Sequence, residues 1–209
     1  MSCHYNRFRA FGLPRGSVAI EFVIIAAFIL PVLIFGIIDF GRLINARQIV
    51  SEVSRVGGGL VFWRADEYGY IDIYGANSTK TENLFNLLED AGSPIFDDNA
   101  TKWKIIISKI DAAWQQGATP MIVAQVERGG LNVNSAIGEE GLPPNQDALP
   151  HIYSHLEFDT GNQAPDKSEL GVVEVFYKYE PITPLPNFIE GILKMDGNGT
   201  IIRNCKAFF

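Results

Sequence analysis

The chain has 209 residues, 47% of them hydrophobic, and 24 acids against 17 lysines and arginines give a net charge of −7. That balance argues against nucleic-acid binding, which needs a basic footprint. Of two cysteines, Cys3 lies in the basic stretch ahead of the apolar run and leaves Cys205 unpaired beyond it, so no intramolecular disulfide framework is expected and the fold holds by packing.

Residues 1–16 carry Arg7, Arg9 and Arg15, with His4 and no acid. Val18 to Ile38 follows as an apolar run broken only by Glu21, Pro31 and Gly36. At ~1.5 Å per residue the run reaches roughly 30 Å, about one hydrocarbon core. It exceeds the usual signal-peptide apolar region of about 7–15 residues. Ala26-Ala27, its small-residue pair, sits mid-run, a poor place for a signal-peptidase cut. The positive-inside rule leaves the leader in the cytoplasm and sends Asp39–Phe209 across the membrane.

Helical patterning continues past the span. Leu43, Ala46, Val50 and Val53 recur at three- and four-residue spacing, with Arg42, Arg47, Gln48, Glu52 and Arg55 on other faces. Gly57-Gly58-Gly59 predicts a break, since glycine in a helix interior costs about 1 kcal/mol against alanine. The reading is therefore one helix over 17–56 with its transmembrane half at 18–38, and a globular domain over 57–209. Pro31 lacks an amide and clashes with the carbonyl of Ala27, which predicts a kink or local loosening.

Tyr68 to Asn77 reads as loop, and Thr79 to Ala91 as a second helix opened by a Thr79–Glu82 capping box and ended by Gly92-Ser93-Pro94. Trp103–Ile110 and Pro120–Val126 read as strands. Asn132–Ser168 reads as a long variable loop with one short strand near Ile152–Phe158. Gly171–Tyr179 alternates, with Val173, Val175 and Tyr177 on one face and Glu174, Phe176 and Lys178 on the other. Ile201–Phe209 closes the domain as an edge strand. A long helix, a short helix and an antiparallel sheet make an α+β layout.

Three blocks carry a family resemblance. Arg15-Gly16-Ser17 followed by Glu21-Phe22 looks like a class III prepilin signal. Ile34–Leu43 with Ala46-Arg47-Gln48 forms the second block and Val173–Leu185 the third. Together they resemble the TadE-like (TadE/TadF) minor pilins, or pseudopilins, of the tight-adherence (Tad/Flp) type IV pilus system. The resemblance implies a pilin-like α+β subunit, cut after Gly16 by a prepilin peptidase and required for pilus biogenesis, adherence and surface attachment. Its implied partners are that peptidase, the major Flp pilin, a second minor pilin, the Tad assembly platform and membrane lipid. Its implied location is the bacterial inner membrane, N-terminus inside and C-terminal domain exported, with incorporation into the extracellular pilus open.

Gly16 offers the peptidase a backbone without a side chain; its bland alternative is a glycine at a helix start. Ser17 becomes the new N-terminus. Glu21, beside Phe22, is expensive in a membrane span. In the pilins it resembles, this glutamate neutralises the terminal amine of a neighbouring subunit and sets register. The alternative is a glutamate snorkelling to the headgroups. Asp39 and Arg42 are spaced to pair, as interfacial decoration. Cys205 reads as a buried thiol in a terminal strand, with an intersubunit bridge as the alternative. His151 and His155 have a helical metal spacing in loop-like surroundings, a weak signal. No enzyme motif, cofactor site or metal site is expected. The second functional reading is an unprocessed, signal-anchored domain that binds a partner at the cell surface.

Overall fold

The computed structural model describes residues 15–68, 79–93, 95–96, 99–161, 164–165, 169–182 and 200–208. Residues 1–14 of the predicted leader, the predicted loop at 69–77, and Thr183, Pro184 and Leu185 of the third block lie outside the described residues.

Helix α1 spans Arg15–Tyr68 without interruption. It is thus some 80 Å long at ~1.5 Å per residue. The three glycines do not stop it. A Cβ on Gly57 would lie 3.0 Å from Val173 Cγ1 and 3.1 Å from Leu88 Cδ2. Gly57 and Gly58 are buried. Gly57 lets the helix approach the sheet and the second helix closely, and tertiary packing outweighs the local propensity cost. The predicted boundary at Val56 is corrected to Tyr68.

Helix α2, Thr79–Gly92, buries Thr81, Leu84, Phe85 and Leu88, one face at helical spacing. Beyond it the Phe96 ring stacks on Trp103 with centroids 4.9 Å apart. The sheet contains β1 (Trp103–Asp111), β2 (Met121–Gly129), β3 (Glu169–Tyr179) and β4 (Thr200–Phe208) in the order β2-β1-β3-β4. All neighbours are antiparallel, with Ile107 opposite both Val126 and Val173, and Val173 opposite Lys206. A long helix, a short helix and a four-stranded antiparallel sheet form the α+β arrangement expected.

One sheet face packs under both helices. Leu43, Ala46, Val50 and Val53 of α1 and Leu84, Phe85 and Leu88 of α2 meet Trp103, Ile105, Ile107, Val126, Val173, Val175 and Ile202. Arg128 on β2 ties α2 down, 2.6 Å from Glu89 and 3.1 Å from Asn86, with its guanidinium over the Phe85 ring.

The opposite sheet face is covered by the chain between β2 and β3. Ile137, Leu149, Tyr153 and Leu156 from that segment join Ile110, Ile122, Leu170 and Val172, while Leu131 joins Ile106 and Phe176. The predicted strand near 152–158 is instead a short helix, α3, Tyr153–Leu156. Its Tyr153 and Leu156 point into this second core, a helical i, i+3 pair that a strand would place on opposite faces. Burial on both faces explains why Glu174 and Phe176, predicted to lie on the face opposite Val173, are also inside.

Candidate assembly site

The N-terminal half of α1 leaves the domain. From Ala19 to Ile38 nearly every side chain is exposed, Phe22 at 71% and Phe28 at 74%. Among the described residues this is the one helix long and apolar enough to cross a membrane. Uncovered apolar surface on this scale marks a membrane or subunit contact rather than ordinary surface. Gly16 and Ser17 fall in the first turn of α1. Glu21 and Phe22 follow one turn later on the exposed segment. Pro31 lies within the uninterrupted helix.

The boundary between free and packed helix is sharp and sits at Asp39. Ile38 is exposed, Asp39 is 2% exposed, and Leu43 begins the core stripe. The Tyr179 hydroxyl donates to the Asp39 backbone carbonyl at 2.8 Å. The Ile182 amide donates to Asp39 Oδ1 at 3.2 Å. Burial, then the Asp39 charge, push the Tyr179 phenol above its ordinary value, with Arg42 acting against them. Asp39 is therefore the helix–domain latch and not the interfacial decoration expected from its spacing to Arg42. The latch also brings together the second and third blocks that carried the resemblance, which lie far apart in the sequence.

A second polar tie lies further along α1. The Ser54 hydroxyl donates to Ser51 O at 3.0 Å and accepts from Asn204 Nδ2 at 2.8 Å. On the far face, Glu174 is 0% exposed and accepts from Arg203 Nη2 at 2.8 Å, from the Ala136 amide at 3.2 Å and from the Ser135 hydroxyl. Lys104 reaches Val133 O at 3.1 Å, and Gln125 reaches Gly138 O at 3.1 Å. These bonds fasten the covering segment to the sheet, so the body of the protein is a closed two-core unit.

Cys205 lies in β4, half-buried, as a free thiol. Burial, then the charge of Glu174, raise its pKa from 9.0 to about 11. At neutral pH it is a protonated thiol of low reactivity. His151 and His155 stand exposed in and beside α3, and no three His, Cys, Asp or Glu groups gather to hold a metal among the described residues.

Reading the sequence missed Ser54 and the tying roles of Asp39 and Glu174. Each of the three is a polar residue within an apolar pattern, the one signal that could have flagged it, and each finds its partners far along the chain.

A family model described as TadE-like protein matches residues 16–58. The matched stretch covers the start of α1, its exposed apolar half, the Asp39 latch and the Gly57 contact. No curated protein and no solved structure matches the chain.

Proposed function

We propose that this chain is a minor pilin or pseudopilin of a Tad (Flp) type IV pilus, needed for pilus biogenesis, adherence and surface attachment. The observation that carries the reading is the coincidence of the TadE-like stretch 16–58 with a helix half bare and half locked to its own domain. A bare apolar half suits transfer between lipid and a filament core, where it exchanges one apolar environment for another.

In this reading the protein is a substrate, not an enzyme. Prepilin peptidase cuts after Gly16 and frees the Ser17 ammonium. Glu21 of an adjacent subunit neutralises it. Leaving either charge alone in a low-dielectric setting costs several kcal/mol, so the pair fixes axial register between subunits. Pro31 removes one backbone bond and supplies a point where the helix can loosen on leaving the membrane. The precursor sits in the bacterial inner membrane with its leader inside and its two-core domain exported. The assembly platform then brings it against the major Flp pilin and a second minor pilin.

The test is the N-terminus of the protein extracted from membranes of its natural host, read by intact mass and terminal sequencing. A chain beginning at Ser17 is expected. Retention of Arg7, Arg9 and Arg15 would sink the pilin reading and leave a signal-anchored domain that binds a partner at the surface. A start at or beyond Leu30 would mean conventional secretion.

A further inference from the structure

The two edges of the sheet are treated differently. On β2 the register shifts at a bulge, and the chain's own loop caps that edge: the Ile122 amide bonds Leu142 O at 3.0 Å and the Gly141 amide bonds Ile122 O at 2.8 Å. Bulges and covering loops are the usual means of closing an edge. Among the described residues strand β4 has neither. It runs in unbroken register with β3 from Thr200 to Phe208 and contains no proline. No backbone group pairs with its outer side among the described residues.

Alongside this edge runs α1, and between them lies a groove of about 460 Å³ lined by Arg47, Ser51, Ile201, Ile202, Arg203 and Asn204. Ile201 is 48% exposed there, while Ile202 is buried in the core below. Asn204 and Arg203 are already engaged, by Ser54 and Glu174. Arg47 and Lys206 are exposed, and neither has a carboxylate partner among the described residues. Ile202 and Asn204 face α1, so the alternation puts Lys206 on that side too, the side Arg47 occupies. Within the groove Arg47 is thus the cation with no carboxylate partner among the described residues, and Lys206 lies beyond the lining on the same side of β4, on a chain whose net charge is −7.

We propose that the α1–β4 groove docks an extended acidic segment of a partner protein. The segment adds to β4 as a fifth strand and sets its carboxylates against Arg47 and Lys206. Main-chain bonds to an open edge supply affinity in this mode, and side-chain pockets supply selectivity. A second copy of the chain suits the site less well. Pairing β4 with β4 would bring Arg203 and Lys206 of each copy to one seam, and like charges across strands are destabilising. The proposal is independent of pilus membership, since it needs only the exported body.

The test uses the full-length chain in nonionic detergent with a fluorescein-labelled nonapeptide of alternating valine and glutamate, and the same peptide with lysine for glutamate. Expected are saturable anisotropy with the glutamate peptide, at least tenfold weaker binding of the lysine peptide, and slowed amide exchange across residues 201–206. Arg47→Glu should weaken the glutamate peptide at least tenfold without moving the melting temperature. Should that variant fail to fold, Lys206→Glu serves in its place. Equal binding of both peptides, no binding at millimolar concentration, or exchange unchanged at β4 overturns the proposal. Concentration-dependent protection of 201–206 without peptide also overturns it and assigns the edge to a second copy.

Discussion

The Tyr179 hydroxyl bonds the backbone carbonyl of Asp39 at 2.8 Å, joining residues 140 positions apart at the point where α1 passes from exposed to packed. The Ile182 amide completes the junction on Asp39 Oδ1. Asp39→Ala leaves that amide without its acceptor, and since Ile182 is 69% exposed and open to water the expected cost is about 1 kcal/mol. Asp39→Asn keeps an oxygen in place and should cost less. Tyr179→Phe should fall near 1 kcal/mol. Thermal unfolding in detergent reads all three, and unchanged stability in both Asp39→Ala and Tyr179→Phe would mean that the latch carries no stability.

The glycines of α1 make a paired prediction. Gly57→Leu forces a side chain into the space held by Val173 and Leu88 and should destabilise by about 1–3 kcal/mol. Gly59 has nothing within 4 Å of an added Cβ, so Gly59→Ala should gain up to about 1 kcal/mol from helix propensity alone. Urea midpoints moving in the same direction for both would reject the close-approach account.

Processing and assembly should separate genetically. Gly16→Leu is expected to leave the leader attached, seen as a heavier band on an immunoblot. Glu21→Ala is expected to leave cutting intact but to reduce recovery of the protein in sheared pili at least tenfold. Normal piliation with both substitutions together would contradict the proposed register role.

On the second core, Arg203 meets a fully buried carboxylate while remaining partly in solvent itself. Arg203→Ala leaves Glu174 with only the Ser135 hydroxyl and the Ala136 amide. After discounting for solvent screening, a loss of about 1–3 kcal/mol is expected. Limited proteolysis should then cut within 131–145 sooner than in the parent.

The Cys205 thiol titrates near 11, so alkylation by iodoacetamide at pH 8 should run one to two orders of magnitude slower than for an unfolded chain. The folded state holds this proton more tightly than the unfolded state does. Its contribution to stability is therefore complete below about pH 9 and declines as pH rises through about 11. Cys205→Ser should flatten that part of the stability profile. Tyr179, also shifted upward, titrates in the same direction and remains in the variant.

The elements that announce themselves locally could be read from sequence. The apolar run is exposed along its length and the stripe Leu43–Ala46–Val50–Val53 is buried as its spacing implies, while the alternation of β3 located the strand but not the burial of both its faces. The helix end could not, because Gly57 looks like a stop until Val173 and Leu88 are known to press on it. The covering segment was equally opaque. Ile137, Leu149 and Leu156 follow no single period, since turns and a one-turn helix deliver them to the sheet one at a time. Of the candidate assembly site, Ser17, Glu21, Phe22 and Pro31 lie on the helix expected of them and Gly16 lies inside its first turn rather than ahead of it, whereas Asp39 became meaningful only beside Tyr179 and Ile182.

Helix α1 meets β3 near Tyr179 through Asp39 and near Val173 through Gly57, so it lies antiparallel along the strand it rests on. Tension applied between the bare end of the helix and the body is therefore directed along the seam rather than across it. The Asp39 latch, the Leu43–Val53 stripe, the Ser54–Asn204 bond and the Gly57 contact then resist in parallel, as shear. Peeling would break them one after another at low force. A protein built this way can be hauled by its tail, or bear drag on its head, without the two parting.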